Sequence, residues 1–191
     1  MKLVLLRHPP ADVGEGICYG TSDPPPAPGW ERWAGDVRRL IEALPAPVAL
    51  RSSPLARCRE PAGALGVDVV IDERLREMDF GAWEGRRWGD FPRADIERWN
   101  ADLANVAPPG GETLAALSER AASFMASLGA ANYPAMVAVS HGGPIRCMLA
   151  HALGAPLAQL FRLRVDPGSV SVVTLTGDVP VVELVNLTVG R

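Results

Sequence analysis

Three histidines occur in these 191 residues, and two of them sit where chemistry is usually done. His8 follows Arg7 at the end of the first apolar run, Lys2-Leu3-Val4-Leu5-Leu6. A Leu/Val run that stops at a polar turn reads as a buried, parallel strand. In open α/β sheets the reactive groups collect beyond the carboxyl ends of such strands. Pro9-Pro10 then ends the ladder, because proline has no N–H to donate. A guanidinium beside an imidazole disfavours its protonation, so the neutral, nucleophilic form is favoured near pH 7. The same cation can hold an anion that the imidazole attacks. Taken alone, the Arg-His pair reads more readily as a strand-end histidine that hydrogen-bonds within its own loop.

His141 repeats the arrangement. It ends the run Met136-Val137-Ala138-Val139-Ser140 and is followed by Gly142-Gly143-Pro144 and an apolar stretch, Ile145 to Leu153, spaced like a helix. Pro at the first helical position with Gly before it suits a tight strand-to-helix turn. Free N–H groups at that turn make an anion site, although a capped helix with an incidental histidine gives the same pattern. His151 lies within the helix and reads as structural or solvated.

A third strand, Pro47-Val48-Ala49-Leu50, leads to Arg51-Ser52-Ser53-Pro54 and a helix with Arg57 in its first turn. A cation there opposes the helix dipole, a weak hint of function. Leu75 to Gly85 then sets Glu77, Asp79 and Glu84 among large apolar groups, and burial raises a carboxyl pKa toward that of a general acid. Two histidines, two arginines and a carboxylate at strand ends suit phosphoryl transfer without a metal or cofactor.

Four ordered motifs carry a resemblance: Arg7-His8, Ser52-Ser53-Pro54-Leu55-Ala56-Arg57, Leu75-x-Glu77-x-x-Phe80-Gly81-x-Trp83-Glu84-Gly85 and Val139-Ser140-His141-Gly142-Gly143. Together they resemble the histidine phosphatase superfamily, which includes the cofactor-dependent phosphoglycerate mutases. The resemblance implies that His8 becomes phosphohistidine and that His141 flanks the phosphate opposite it. It also implies that Arg7 and Arg57 grip the phosphoryl oxygens, while Glu77 protonates the leaving alkoxide and later activates water. Asp79 and Glu84 read as polar residues flanking a turn. Where the superfamily commonly has Gly, then Thr or Ser, then Asn after Arg-His, this chain has Pro9-Pro10-Ala11 and Gly14. The segment Gly16-Ile17-Cys18-Tyr19-Gly20-Thr21-Ser22-Asp23 is similar to the α-ribazole phosphatase branch. That likeness implies a substrate-binding set of Gly20, Thr21, Ser140 and Gly142, with Gly20 letting the backbone approach the substrate.

The expected function is therefore hydrolysis of small phosphomonoesters, α-ribazole phosphate among the candidates. Phosphoglycerate mutase activity is the alternative within the family. It is disfavoured because Trp99 is followed by Asn100-Ala101-Asp102 and not by the family's double arginine. A non-catalytic module that binds a phospho-ligand is the alternative outside enzymology.

Bulk properties agree. A chain of this length buries around 70% of its unfolded surface as one domain, 1–191. A net charge of −3 argues against a nucleic-acid binder. The opening apolar run is too short for a signal peptide or a membrane span. Cys18, Cys58 and Cys147 show no metal-ligand spacing. The expectation is a soluble, cytoplasmic protein whose partner is a small phosphorylated metabolite, with a homodimer left open. Strands are expected near Lys2–Leu6, Val48–Arg51, Asp68–Ile71, Met136–Ser140, Val170–Thr176 and Val181–Asn186. Helices are expected near Gly29–Leu44, Pro54–Leu65, Thr113–Leu128 and Pro144–Leu153. This alternation predicts an α/β fold, a three-layer αβα sandwich on a mostly parallel sheet, with an antiparallel edge hairpin through Gly177-Asp178. Residues 85–111 form an expected cap whose aromatics, Trp88, Phe91 and Trp99, either pack it to the body or line a pocket.

Overall fold

The first apolar run forms strand β1 (Lys2–Arg7), and it lies inside the sheet. In the computed structural model, which describes every residue except 176, 178, 190 and 191, β1 is joined by β2 (Val48–Ser52), β3 (Val69–Ile71), β4 (Ala135–Ser140), β5 (Ser169–Thr174) and β6 (Val181–Thr188). Their order is β3-β2-β4-β1-β5-β6. The first four run parallel, while β5 and β6 are antiparallel and close one edge as the expected hairpin. The expected end of β5 at Thr176 and the turn residue Asp178 lie outside the described residues.

β1 explains its own composition. Val4 and Leu6 pack with Trp33 and Val37 of α1 (Trp30–Glu42) and Cys58 of α2 (Ala56–Gly63). Leu3 and Leu5 pack on the other face with Leu117 and Phe124 of the long helix Leu114–Ser127 and with Ile145 and Met148 of the helix Gly142–Leu153. Both faces are covered, so the four central positions, Leu3 to Leu6, are all apolar and the run reads as continuous rather than alternating. A further helix, α3 (Arg93–Ala101), was signalled only by the spacing of Phe91, Asp95 and Trp99. The two helices just named are therefore α4 (Leu114–Ser127) and α5 (Gly142–Leu153).

Register positions the site. Arg7 lies opposite Ser140, and Ser52 opposite Val139. The three residues that follow these strands, His8, Ser53 and His141, consequently emerge at one level of the sheet edge.

Two helix starts differ from expectation. α5 begins at Gly142 with His141 as its N-cap, which makes Pro144 the third helical residue. The N–H groups of the first turn have no intrahelical partner, so proline loses nothing there. α2 begins at Ala56, two residues late, because Asp23 Oδ1 accepts the Ala56 N–H at 2.6 Å and fixes that end. Thr113 caps α4, its hydroxyl accepting the Ala116 N–H.

Residues 85–111 hold a 3₁₀ turn (Trp88–Asp90) and α3. Trp83 stacks on Phe91 at 4.8 Å and meets Trp99 edge-on at 5.5 Å. Trp83, Phe91 and Trp99 are buried, so these aromatics mainly pack the segment onto the body, with Trp88 left 39% exposed at the rim. No helix among the described residues is long and apolar enough to cross a membrane.

Candidate active site

At the sheet edge His8 is buried, with only 1% of its surface exposed. Its backbone N–H donates to the Ser140 carbonyl, and its ring Nδ1 lies 2.6 Å from the Pro9 carbonyl. A carbonyl only accepts, so Nδ1 carries the proton and Nε2 keeps its lone pair. Burial first, then Arg57 and Arg7, hold the imidazole pKa well below its ordinary value, so the ring is neutral at pH 7. The His141 ring centroid is 5.0 Å away. His141 Nε2 lies 2.7 Å from Ser53 Oγ, and the buried Cys58 thiol packs against the same ring. Burial, then His8, Arg57 and Arg7, lower its pKa as well.

Arg57 is fully buried. Its two terminal nitrogens donate to the carbonyls of Ser22 and Gly20, and its guanidinium lies 5.0 Å from the Tyr19 ring centroid. Arg7 donates through Nη1 to the Val165 carbonyl at 2.6 Å. Nε of each is buried without a partner. Among the described residues neither guanidinium pairs with a carboxylate. Two cations, Arg57 buried and Arg7 half-buried, flank a neutral imidazole and form an anion-binding pocket around a nucleophile.

Glu77 approaches from the other side. Its carboxylate accepts the N–H groups of Met78 and of Gly143, the latter at 3.1 Å. A Cβ on Gly143 would overlap that carboxylate, so only glycine permits the contact. Ser140 Oγ donates to the Leu75 carbonyl, and Arg120 on α4 donates to the carbonyls of Arg74, Arg76 and Glu77. Arg120 is itself held by Glu112 through two bonds of 2.8 and 2.9 Å. A fixed carboxylate, a neutral histidine and unpaired guanidiniums converge on one point of the sheet edge.

Residues 3–188 match the family described as the histidine phosphatase superfamily, branch 1. The chain belongs to this superfamily. A bifunctional protein of Mycobacterium tuberculosis is 34% identical over 98% of this chain but 54% of its own length. The chain thus spans about half the length of the first curated relatives it matches. The adenosylcobalamin/alpha-ribazole phosphatase of Escherichia coli is 30% identical over 92% of this chain and 90% of its own. The crystal structure of the alpha-ribazole phosphatase from Shigella flexneri superposes with a TM-score of 0.87 at 26% identity, covering 100% of this chain and 99% of that one.

As a member of the histidine phosphatase superfamily, the protein places His8, His141, Arg7, Arg57 and Glu77 together, but several neighbours differ from what their types suggested. Glu77 is half-buried and not enclosed by apolar groups. Gly20 is required by the protein itself: a Cβ there would strike the Met78 carbonyl, and the Gly20 carbonyl is spent on Arg57. The Ser140 hydroxyl is engaged by Leu75, and Thr21 by Glu84. Gly142 makes room for the guanidiniums of Arg7 and Arg146.

Glu84 is more than a turn-flanking residue. It accepts the N–H and hydroxyl of Thr21, the N–H and hydroxyl of Ser22 and the N–H of Phe80. Burial alone would raise its pKa, but these hydrogen bonds outweigh it and bring the carboxyl down to about 2. Hydrogen bonding and not burial sets the sign of the shift at this position.

Sequence reasoning missed Arg120, and it placed Ser53, Gly143 and Asp23 within motifs without their contacts. Arg120 had one visible signal, the only cation in a helix whose other residues, Glu119 apart, are small or apolar. The proline-rich loop after Asp23 pairs with the Pro9-Pro10 turn: Ala27 N–H donates to the Pro10 carbonyl and Asp12 N–H to that of Pro25. A cleft of about 370 Å³ opens against Glu77, Thr21, Asp79, Glu112 and Arg120.

Proposed function

We propose that this chain is a phosphatase that hydrolyses small phosphomonoesters through a phosphohistidine on His8. One observation carries this reading: His8 has its Nδ1 proton tied to the Pro9 carbonyl, leaving Nε2 nucleophilic between two guanidiniums with no carboxylate partner among the described residues. In the first step Nε2 attacks phosphorus, the N–P bond forms and the ester P–O bond breaks. Glu77 gives a proton to the departing alkoxide oxygen. In the second step water attacks the phosphohistidine, Glu77 takes its proton, and the N–P bond breaks to release phosphate. Arg7, Arg57 and His141 bind the equatorial oxygens, where negative charge is spread in the transition state.

Within this reading α-ribazole phosphate is the first substrate to try, supported by the names of the E. coli and S. flexneri relatives. The single unit 1–191, the cap role of 85–111 and a cytoplasmic setting complete the proposal. Three free, buried cysteines support the last of these. The test is colour release from p-nitrophenyl phosphate in EDTA between pH 5 and 9, followed by a substrate panel with α-ribazole phosphate. Folded protein that binds phosphate yet turns nothing over would favour the binding module. Robust interconversion of 2- and 3-phosphoglycerate would favour the mutase.

A further inference from the structure

A third guanidinium lies beside Arg7. Arg146, on the second turn of α5, is not one of the five residues assigned above. Its Nε donates to the Leu163 carbonyl at 2.8 Å, its only hydrogen bond among the described residues, and the Phe161 ring lies 5.9 Å from its Cζ. A Cβ placed on Gly142 would stand 2.8 Å from Arg146 Nη1 and 3.4 Å from Arg7 Cζ. The two cations therefore meet over Gly142, beside the N-terminus of α5, with no carboxylate between them among the described residues. Each is held at the back by one carbonyl of the same short segment, Leu163 for Arg146 and Val165 for Arg7.

Two like charges brought together in a half-buried place repel each other, and a bound anion would offset that cost. Burial first, and then Arg7, lower the Arg146 pKa, while Glu77 and Asp166 act to raise it.

The geometry points to Arg146 as a third phosphate-binding residue, gripping the phosphoryl group together with Arg7 across Gly142 and favouring its dianion over its monoanion. This rests on the phosphatase reading but goes beyond it, and the two can fail separately.

The experiment measures inorganic phosphate as a competitive inhibitor of p-nitrophenyl phosphate hydrolysis, from pH 5.5 to 8.5, in the whole chain. Arg146→Gln should raise the inhibition constant at least about tenfold at pH 8, the usual loss when one charge-assisted contact goes. It should also flatten the tightening of inhibition that accompanies formation of the phosphate dianion. Arg146→Lys should recover part of both effects. An unchanged inhibition constant and pH profile in folded Arg146→Gln, with only a lower Tm, would reduce Arg146 to a tether for Leu163 and overturn the inference. If the variant does not fold, the wild type decides: phosphate should protect Arg146 from phenylglyoxal, read by peptide mapping. Labelling undiminished by phosphate would overturn the inference. A wild type with no turnover would sink the phosphatase reading instead, while phosphate protection of Arg146 would still stand.

Discussion

The floor under His8 and the collar around Glu77 handle charge in opposite ways. On the floor, Arg7 and Arg57 donate only to the carbonyls of Val165, Ser22 and Gly20, and among the described residues no carboxylate forms an ion pair with either. In the collar, Arg120 is paired by Glu112 through two bonds and caps three carbonyls, while Glu84 gathers five donors from Thr21, Ser22 and Phe80. A buried charge without a partner destabilises the fold, whereas a bound anion supplies the missing interaction. Glu84 and Glu112 are used to fix loops, and neither floor guanidinium is ion-paired among the described residues. The division separates what binds phosphate from what holds the acid–base group in place.

The largest effect should come from the floor. His8→Ala should abolish turnover, because no other group at that edge presents a free imidazole nitrogen to phosphorus. Rapid-quench labelling should find an acid-labile, base-stable phosphoenzyme in the wild type and none in the variant. Persistence of that species in His8→Ala would remove the nucleophile from the scheme.

Glu77→Gln comes next, at the junction of the two regions. It should keep phosphate binding but slow hydrolysis by roughly 10²- to 10⁴-fold, the range for loss of a general acid–base group. The deficit should shrink for esters with good leaving groups, which need little protonation. An equal deficit for all leaving groups would assign Glu77 a purely positional role.

A smaller effect should appear in stability against pH. His8 and His141 are held neutral in the fold, chiefly by burial, with pKa values well below the ordinary 6.5. Below pH 6.5 the unfolded chain takes up protons that the folded chain refuses, so stability falls as the pH falls through that value. Each histidine should contribute up to roughly 1 kcal/mol of loss between pH 7.5 and 6. The decline in Tm over that window should be about halved in His141→Gln. A flat Tm profile for the wild type would mean that the floor does not keep its imidazoles neutral.

How much of this was legible follows from where the information resides. Strand ends and the residues just after them could be read, because a run such as Leu3-Val4-Leu5-Leu6 announces two covered faces and Pro9-Pro10 announces its end. His8, His141 and Arg57 were found this way, and the family motifs added Glu77. What could not be read are contacts across long chain separations. Nothing near Ser140 says that its hydroxyl will meet Leu75, and nothing near Arg120 says that it will cap the Glu77 loop. Gly142 and Gly143 were visible as a turn, but their purpose depends on two arginines and a carboxylate brought in from elsewhere. Glu84 failed for a different reason. Burial and hydrogen bonding push a carboxyl pKa in opposite directions, and only the three-dimensional count of donors decides between them.

Glu84 also provides the finest test of the division between floor and collar. It touches no reacting group in the proposed scheme. Its donors belong to the loop whose Gly20 and Ser22 carbonyls aim the Arg57 guanidinium, so its influence on catalysis must pass through that cation. Glu84→Gln keeps the size of the side chain but removes the charge and replaces one acceptor with a donor, which cannot satisfy all five contacts. The expected result is a fall in kcat/KM of about 3- to 10-fold, on the order of 1 kcal/mol in transition-state binding, with a modest drop in Tm. The pH dependence carries its own sign. With its pKa lowered from 4.5 to about 2, the stabilisation from Glu84 is full above pH about 4.5 and fades as the pH falls toward 2. The Tm gap between wild type and variant should therefore narrow across that acid range. A kcat/KM loss as large as that of Glu77→Gln would show that the collar takes part in the chemistry, and the separation drawn between the two regions would be wrong.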